Sequence, residues 1–106
     1  MIVATTKEIA GKKIVKTLGV ARGSTIRARH LGRDFLAGLK MLIGGEIKSY
    51  TQMLAEAREE ALERMQAVAK EMGANAIVGM RFSSVMIMSG TAESLAYGTA
   101  VVIKDN

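Results

Sequence analysis

The most constraining feature of the chain is a long amphipathic helix that ends at a glycine and leads directly into two nearly uncharged strands. We predict that this helix begins near Ser49, with Gln52 in the capping-box position, and ends at Gly73. Its apolar residues recur every three or four positions: Leu54, Ala57, Ala61, Met65, Val68, Ala69 and Met72. The Glu60 and Arg64 pair at i,i+4 adds only about 0.3 kcal/mol, so burial of the apolar stripe must dominate. The helix therefore needs a sheet to pack on.

After Asn75, which is expected to hydrogen-bond its own neighbouring backbone, the hydrophobic period changes from helical to two. The first predicted strand is Ala76 to Met88, and its apolar residues are expected under the helix: Val78, Met80, Phe82, Met86 and Met88. A turn at Ser89-Gly90-Thr91 precedes a last strand in which Leu95, Tyr97, Thr99, Val101 and Ile103 alternate with Ala96, Gly98, Ala100 and Val102. A two-layer domain has one core, so a strand that is apolar on both sides predicts contact with another subunit.

The first half of the chain is predicted to add two strands and a short helix. The strands are Met1 to Thr5 and Ile14 to Ala21, and the inner face of the second is expected to carry Ile14, Leu18 and Val20. A basic connection, Arg22 to Arg33, follows with Gly23-Ser24 as its turn, and then a helix over Asp34 to Ile43 that Gly44-Gly45 ends. The prediction is a single α+β domain over residues 1–106, in which one long and one short helix cover a small, mostly antiparallel sheet in the order strand-strand-helix-helix-strand-strand.

Composition excludes several kinds of chemistry. The chain has no Cys, and so it has no disulfide, no thiolate metal ligand and no thiol nucleophile. No segment reaches the ~20 apolar residues of a membrane span, and the N-terminus lacks the basic region of a signal peptide, which predicts a cytoplasmic protein without membrane contact. The charge is uneven: residues 1–50 hold ten basic residues against three acidic ones, whereas residues 51–106 hold five against seven. A basic half can attract phosphates or an acidic partner.

Three segments carry a family resemblance. They are Ile43 to Thr51, the residues Ala57, Arg58 and Ala61 within the long helix, and Gly73 to Gly79, and together with Gly19 to Gly23 they resemble the YbjQ-like family of small bacterial and archaeal proteins. The resemblance covers essentially the whole chain. It implies an α+β subunit that assembles into a ring, a homopentamer, and a family name that includes heavy-metal binding. It implies no established activity.

Candidate site residues are few. His30 is the only histidine, and it lies among Arg27, Arg29 and Arg33, which repel cations and make a single subunit a poor metal site. A ring could still gather several copies of His30, or join it to Glu46 of a neighbour, around a divalent or soft metal ion. Met80, Met86 and Met88 could offer thioethers to such an ion, but their spacing fits core packing equally well. Arg22, Arg27, Arg29 and Arg33 could hold a phosphate-bearing ligand, with salt bridges between subunits as the alternative use of these arginines. Arg27, Arg29 and His30 are the candidates for binding an anionic small molecule.

These residues leave three hypotheses for function. The first is a non-enzymatic ring-forming protein with a ligand-binding or protein-docking surface at the subunit junctions. The second is a metal-binding protein that uses residues from several subunits. The third is an enzyme acting on an anionic small molecule, although the chain has no Gly-x-Ser-x-Gly elbow and no phosphate loop. A specific nucleic-acid reader is not expected, because no aromatic residues are interleaved with the arginines.

Overall fold

The structure, a computed structural model, describes residues 1–28, 46–88 and 91–106, with the side chains of 27, 28, 46–50, 87 and 88 left undescribed. Its elements are β1 (Ile2–Val3), β2 (Lys12–Ala28), α1 (Glu46–Glu71), β3 (Ala76–Met88) and β4 (Thr91–Asp105). The predicted α+β class is confirmed, with a four-stranded mixed sheet and one helix in the described part of the chain. The short helix predicted over Asp34 to Ile43 lies outside the described residues.

The strands lie in the order β1-β3-β4-β2. β1 is parallel to β3, whereas β4 is antiparallel to both of its neighbours, β3 and β2. α1 packs mainly on β2 and β4 and touches β3 only slightly. The longest dimension of the chain, 57 Å, is the length expected of the 17-residue strand β2 at about 3.3 Å per residue. The molecule is therefore a long, thin, two-layer plate. The helix covers β2 and β4, and β3 lies mostly beyond the area that the helix covers.

The C-terminal end of α1 is the one the sequence predicts. Gly73 has φ of +94°, and its N–H donates to the Lys70 carbonyl at 3.0 Å, while the N–H of Ala74 donates to the Ala69 carbonyl at 3.0 Å. This pair of bonds is the Schellman motif, which satisfies the last free carbonyls of a helix. The predicted start near Ser49 is wrong, because the helix begins at Glu46. Glu46 favours an earlier start, since an acidic residue in the first turn interacts well with the helix dipole.

The main core forms where α1 lies on β2 and β4, and small residues dominate it. Its buried members are Ala21, Ala61, Met65, Ala69, Ala74, Ile77, Met80, Ala96 and Ala100. Gly23 belongs to the same contact, because a Cβ there would lie 2.3 Å from the Met65 backbone nitrogen. Next to it, the hydroxyl of Thr25 donates to the Ala57 carbonyl at 3.0 Å and ties β2 to the helix. The helix and the sheet thus approach almost backbone to backbone.

This contact corrects the prediction for β2. The strand does not end at Ala21, and Gly23-Ser24 is not a turn, since β2 continues to Ala28 in register with β4. Glycine is present at residue 23 because the helix leaves no room for a side chain. In a sequence alone, a glycine required by close packing cannot be distinguished from a glycine required by a turn.

The predicted inner face of β2 is also wrong in part. The register with β4 shifts between Ile14 and Lys16 and again between Thr17 and Gly19, so each shift reverses the alternation of faces. Leu18 is half-buried and does pack against the main core. Val20, however, is 66% exposed, and Ala21 takes the place under the helix.

The predicted apolar face of β3 is divided in the same way. A register shift between Val78 and Arg81 places Val78 on the side of the sheet away from the helix, while Met80 stays in the main core. Phe82 and Met86 lie on the helix side of the sheet but remain exposed, because α1 barely reaches β3. Within the helix, Val68 is likewise exposed and not part of the buried stripe.

Asn75 does not bond its neighbouring backbone through its side chain, as the sequence suggested. Its side-chain amide donates to the Ile103 carbonyl at 2.9 Å and accepts from the Ile103 N–H at 2.7 Å. The amide therefore pairs with β4 as a strand residue would, and it fixes the turn after α1 to the sheet.

Candidate functional site

The predicted ligand-binding residues fall mostly outside the described part of the chain. Arg29 and His30 are not described, and Arg27 is described only as a backbone position of β2 paired with Ala92. Glu46 is the first residue of α1, and its side chain is not described. The hypothesis that these residues bind an anion or a metal therefore stays a prediction.

The described residues do not form a metal centre on their own. Among the described residues there is no group of three or more His, Cys, Asp or Glu side chains that could hold an ion. Met80 is buried in the main core, whereas Met86 is 58% exposed and lies six residues along the same strand. That separation is about 20 Å, so these two thioethers do not converge.

The sheet has one face that nothing in the described chain covers over most of its length. We call the face turned away from α1 the open sheet face, and its members are Val20, Arg22, Ser24, Ile26, Arg81, Ser83, Val85, Glu93, Leu95, Tyr97 and Thr99. Three of its aliphatic residues are far more exposed than is usual for such residues: Val20 by 66%, Ile26 by 65% and Val85 by 57%. The alternation in β4 predicted only the part of this face that Leu95 and Tyr97 supply, whereas Val20 was predicted on the inner face.

The same face is closed at one end by the chain itself. Val101 and Ile103 are buried in a second cluster with Ala76 and Val78, and Ile9 packs over them. The expectation that the whole second side of β4 needs another subunit is therefore wrong for this end, because the segment before β2 supplies a cover that periodicity does not reveal.

A row of three polar side chains crosses the middle of the open sheet face. Tyr97 is paired with Arg22 on β2 and with Arg81 on β3, so all three lie side by side on one face. Tyr97 is 39% exposed. Nη1 of Arg81 donates to the Thr5 carbonyl at 2.9 Å and to the Met80 carbonyl at 2.7 Å, which holds the guanidinium in place. Sequence reasoning named Arg22 among the arginines that could hold a phosphate-bearing ligand, but it missed this row because it ended β2 at Ala21 and placed Arg22 in a loop.

The outer face of α1 carries the opposite charge. Glu56, Glu59, Glu60 and Glu63 line a broad, shallow depression together with Gln52, Ala55, Arg64 and Ala67. The predicted pair is confirmed: Nη2 of Arg64 lies 2.6 Å from Oε1 of Glu60. Nη1 of the same arginine donates to the Ser24 carbonyl at 2.7 Å and joins the helix to the edge of β2. One face of the plate is thus acidic, and the other is apolar with a basic row.

The ends of β2 and β4 are joined by an ion pair. The ammonium of Lys12 donates to Oδ1 of Asp105, and this hydrogen bond, with the positive charge of Lys12, lowers the pKa of the Asp105 carboxyl below its ordinary value. Asp105 is 83% exposed and Lys12 is 35% exposed, so the pair fixes strand ends rather than forming a reactive site. In the part of the chain that the structure describes, no helix has the length and apolar content needed to cross a membrane.

Fold and surface together define a small α+β domain of two layers, with an acidic helix on one side and an open sheet on the other. A family model with the description "Putative heavy-metal-binding" matches residues 1–104, and the chain belongs to this family, the YbjQ-like proteins. A UPF0145 protein of Dehalococcoides mccartyi is 56% identical over 104 residues, which cover 98% of this chain and all of that protein. A UPF0145 protein of Methanosarcina acetivorans is 59% identical over 103 residues, 97% of each chain.

A solved structure gives the same fold at low sequence identity. A Pediococcus pentosaceus protein of the DUF74 family, described as having unknown function, aligns with a TM-score of 0.68 and 18% identity over 98% of both chains. This likeness supports the α+β architecture. The names of these two relatives state no activity, and the solved structure is described as having unknown function, so the surface of the domain is the guide to function.

Proposed function

We propose that this chain is a non-enzymatic subunit of a ring, a homopentamer, whose junctions present a ligand-binding or protein-docking surface. The observation that carries the proposal is the open sheet face with its exposed aliphatic residues Val20, Ile26 and Val85. Fully burying an aliphatic side chain contributes about 1.5–3 kcal/mol, so these three residues, each more than half exposed, leave several kcal/mol of stabilisation for a partner to realise.

The distribution of charge supports a head-to-tail contact. The acidic outer face of α1 complements the basic first half of the chain, so one subunit can offer its helix side to a basic surface of the next. Contacts between two different surfaces close into a ring when the rotation between subunits permits it. A self-complementary dimer would instead bring like charges together.

Two unpaired strand edges also favour assembly. Within residues 1–28, 46–88 and 91–106, β2 is the last strand of the sheet. In the same residues β1 pairs with β3 only at Ala76 and Ile77, which leaves Phe82 to Met88 without a strand neighbour on that side. Open edges of this length are ready to pair with another chain. Phe82 and Met86, which the helix leaves exposed, lie beside one of these edges.

The test is native mass spectrometry of the full chain at micromolar concentration, with Val20→Asp as the variant. The substitution places a charge on the open sheet face, and we expect the ring to lose subunits while circular dichroism still shows a folded chain. Ala10→Asp, which adds the same charge at an exposed turn residue, is the control and should leave the ring intact. A stable monomer of the unmodified chain would remove the basis of the proposal, as would a ring that Val20→Asp does not weaken.

Heavy-metal binding is suggested only by the family description, and no group of described residues favours it. Titration of the assembled protein with copper, zinc and nickel decides the matter. Micromolar binding that His30→Ala abolishes would make metal binding the better account.

A further inference from the structure

We propose that the row of Arg22, Tyr97 and Arg81, named here the Arg-Tyr-Arg row, binds a planar, anionic small molecule of the nucleoside monophosphate type. The inference deepens the proposed function, since it assigns a ligand class to the open sheet face. It concerns different residues from Arg27, Arg29 and His30, and it rests on the register of three described strands.

The register sets the dimensions of the site. Neighbouring strands lie about 4.8 Å apart, so the two arginine backbones flank Tyr97 at a total separation of about 10 Å. The faces are fixed independently by burial: Ala21 and Ala96 lie in the main core, and their neighbours Arg22 and Tyr97 must therefore point to the opposite side. Tyr97 thus lies between the backbone positions of two arginines, each one strand away, and this spacing is comparable to the distance from a base to its attached phosphate.

Hydrogen bonding leaves the cationic groups able to bind a ligand. Arg81 uses only Nη1 for its bonds to Thr5 and Met80, so its Nε and Nη2 donors have no partner among the described residues. Arg22 and the hydroxyl of Tyr97 likewise make no side-chain hydrogen bond or ion pair within residues 1–28, 46–88 and 91–106. A guanidinium fork with free donors matches the oxygens of phosphate or carboxylate.

In the described strands, no acidic residue of this face lies beside the row. Along β4 the next acidic residue on the same face is Glu93, four residues away and therefore about 13 Å distant. The adjacent row, Ser24, Leu95 and Ser83, is uncharged and adds two hydroxyl groups. An anion is thus attracted to the middle of the face, and an aromatic ring can stack on Tyr97 while its charged group meets an arginine.

A small molecule fits this row better than a nucleic-acid strand. Single-stranded nucleic acid is held by several aromatic residues that stack successive bases, and the open sheet face has one, Tyr97. Tyr97 and the two arginines can bind one planar group together with the negative charge attached to it. Tight binding of an oligonucleotide is therefore an alternative outcome of the test and not part of the proposal.

The experiment is isothermal titration of the full chain with adenosine monophosphate, adenosine and inorganic phosphate as probes. We expect the monophosphate to bind more tightly than either fragment, because only it engages the ring and the arginines together. Arg22→Gln and Tyr97→Leu should each weaken its binding about tenfold, as expected for losing one charge-assisted hydrogen bond or one stacking contact. The control is Lys104→Gln, which removes one positive charge seven residues from Tyr97 on β4. Its dissociation constant for the monophosphate should stay within about twofold of the parent protein's.

Three results would overturn the proposal: no saturable binding of the monophosphate, equal losses in Arg22→Gln and Lys104→Gln, or an oligonucleotide that binds far more tightly than the monophosphate with a steep salt dependence. Native mass spectra of the same samples separate this failure from failure of the proposed function. A ring that ignores the monophosphate contradicts only the ligand, whereas a monomer that binds it contradicts only the ring.

Discussion

Replacing Gly23 with Ala tests the closest contact in the fold. A Cβ at residue 23 would lie 2.3 Å from the Met65 nitrogen, 2.5 Å from the Ala61 carbonyl oxygen and 2.7 Å from Cβ of Arg64. The first two atoms belong to the backbone of α1, so no side-chain rotation can relieve the overlap. The backbone of Gly23 is not in the left-handed region, and the cost is therefore steric alone.

The size of the effect follows from what must move. The helix has to retreat by about 1 Å, and a gap of that size loses a quarter to a half of the dispersion attraction across the contact. Overpacking of this kind costs about 1–3 kcal/mol or more. Lengthening the bond from Thr25 to the Ala57 carbonyl adds about 1 kcal/mol. We expect a loss of about 3–4 kcal/mol, which lowers the Tm of a chain of this size by about 15 °C or more.

Thermal unfolding of both proteins at one fixed concentration measures the difference, since self-association would make Tm depend on concentration. Ser24→Ala is the matched control: the exposed Ser24 side chain lies on the other face of the same strand, and its removal should change stability by less than about 0.5 kcal/mol. If Gly23→Ala unfolds within about 1 kcal/mol of the parent protein, the helix does not lie against β2 as described.

Two further substitutions test single contacts. Asn75→Ala should reduce the free energy of unfolding in urea by about 2 kcal/mol, because it leaves the N–H and carbonyl of Ile103 unpaired, and Asn75→Asp, which keeps only the acceptor, should fall in between. Asp105→Asn should lower stability at neutral pH. Because Lys12 lowers the pKa of folded Asp105, the contribution is complete above the unfolded value of about 3.9 and disappears as pH falls through the folded value. The free energy of unfolding of the parent protein and of Asp105→Asn is measured against pH. A difference between the two proteins that persists in strong acid, or that does not shrink as salt is added, would contradict this reasoning.

The parts of the fold that the sequence predicted well are those that local chemistry determines. The end of α1 at Gly73 follows from the preference of glycine for positive φ, and the hairpin of β3 and β4 follows from two period-two segments joined by a short turn. The buried alanines of α1 were also predicted, since their spacing matches one face of a helix.

The parts that were missed depend on contacts between distant segments. Gly23 reads as a turn until the helix above it is known, and the two bulges in β2 reverse which residues face the core. Asn75 pairs with Ile103, 28 residues away, which no local pattern indicates. The Arg-Tyr-Arg row needs both registers at once, so it could not be assembled from any single strand.

The central claim is that the exposed aliphatic residues of the open sheet face contact a second copy of the chain, and native mass spectrometry of protein taken directly from its source cells tests it most directly. The prediction is a pentamer, with the Val20→Asp variant shifted toward smaller species. A spectrum that contains only the 11.3 kDa monomer at micromolar concentration would contradict it.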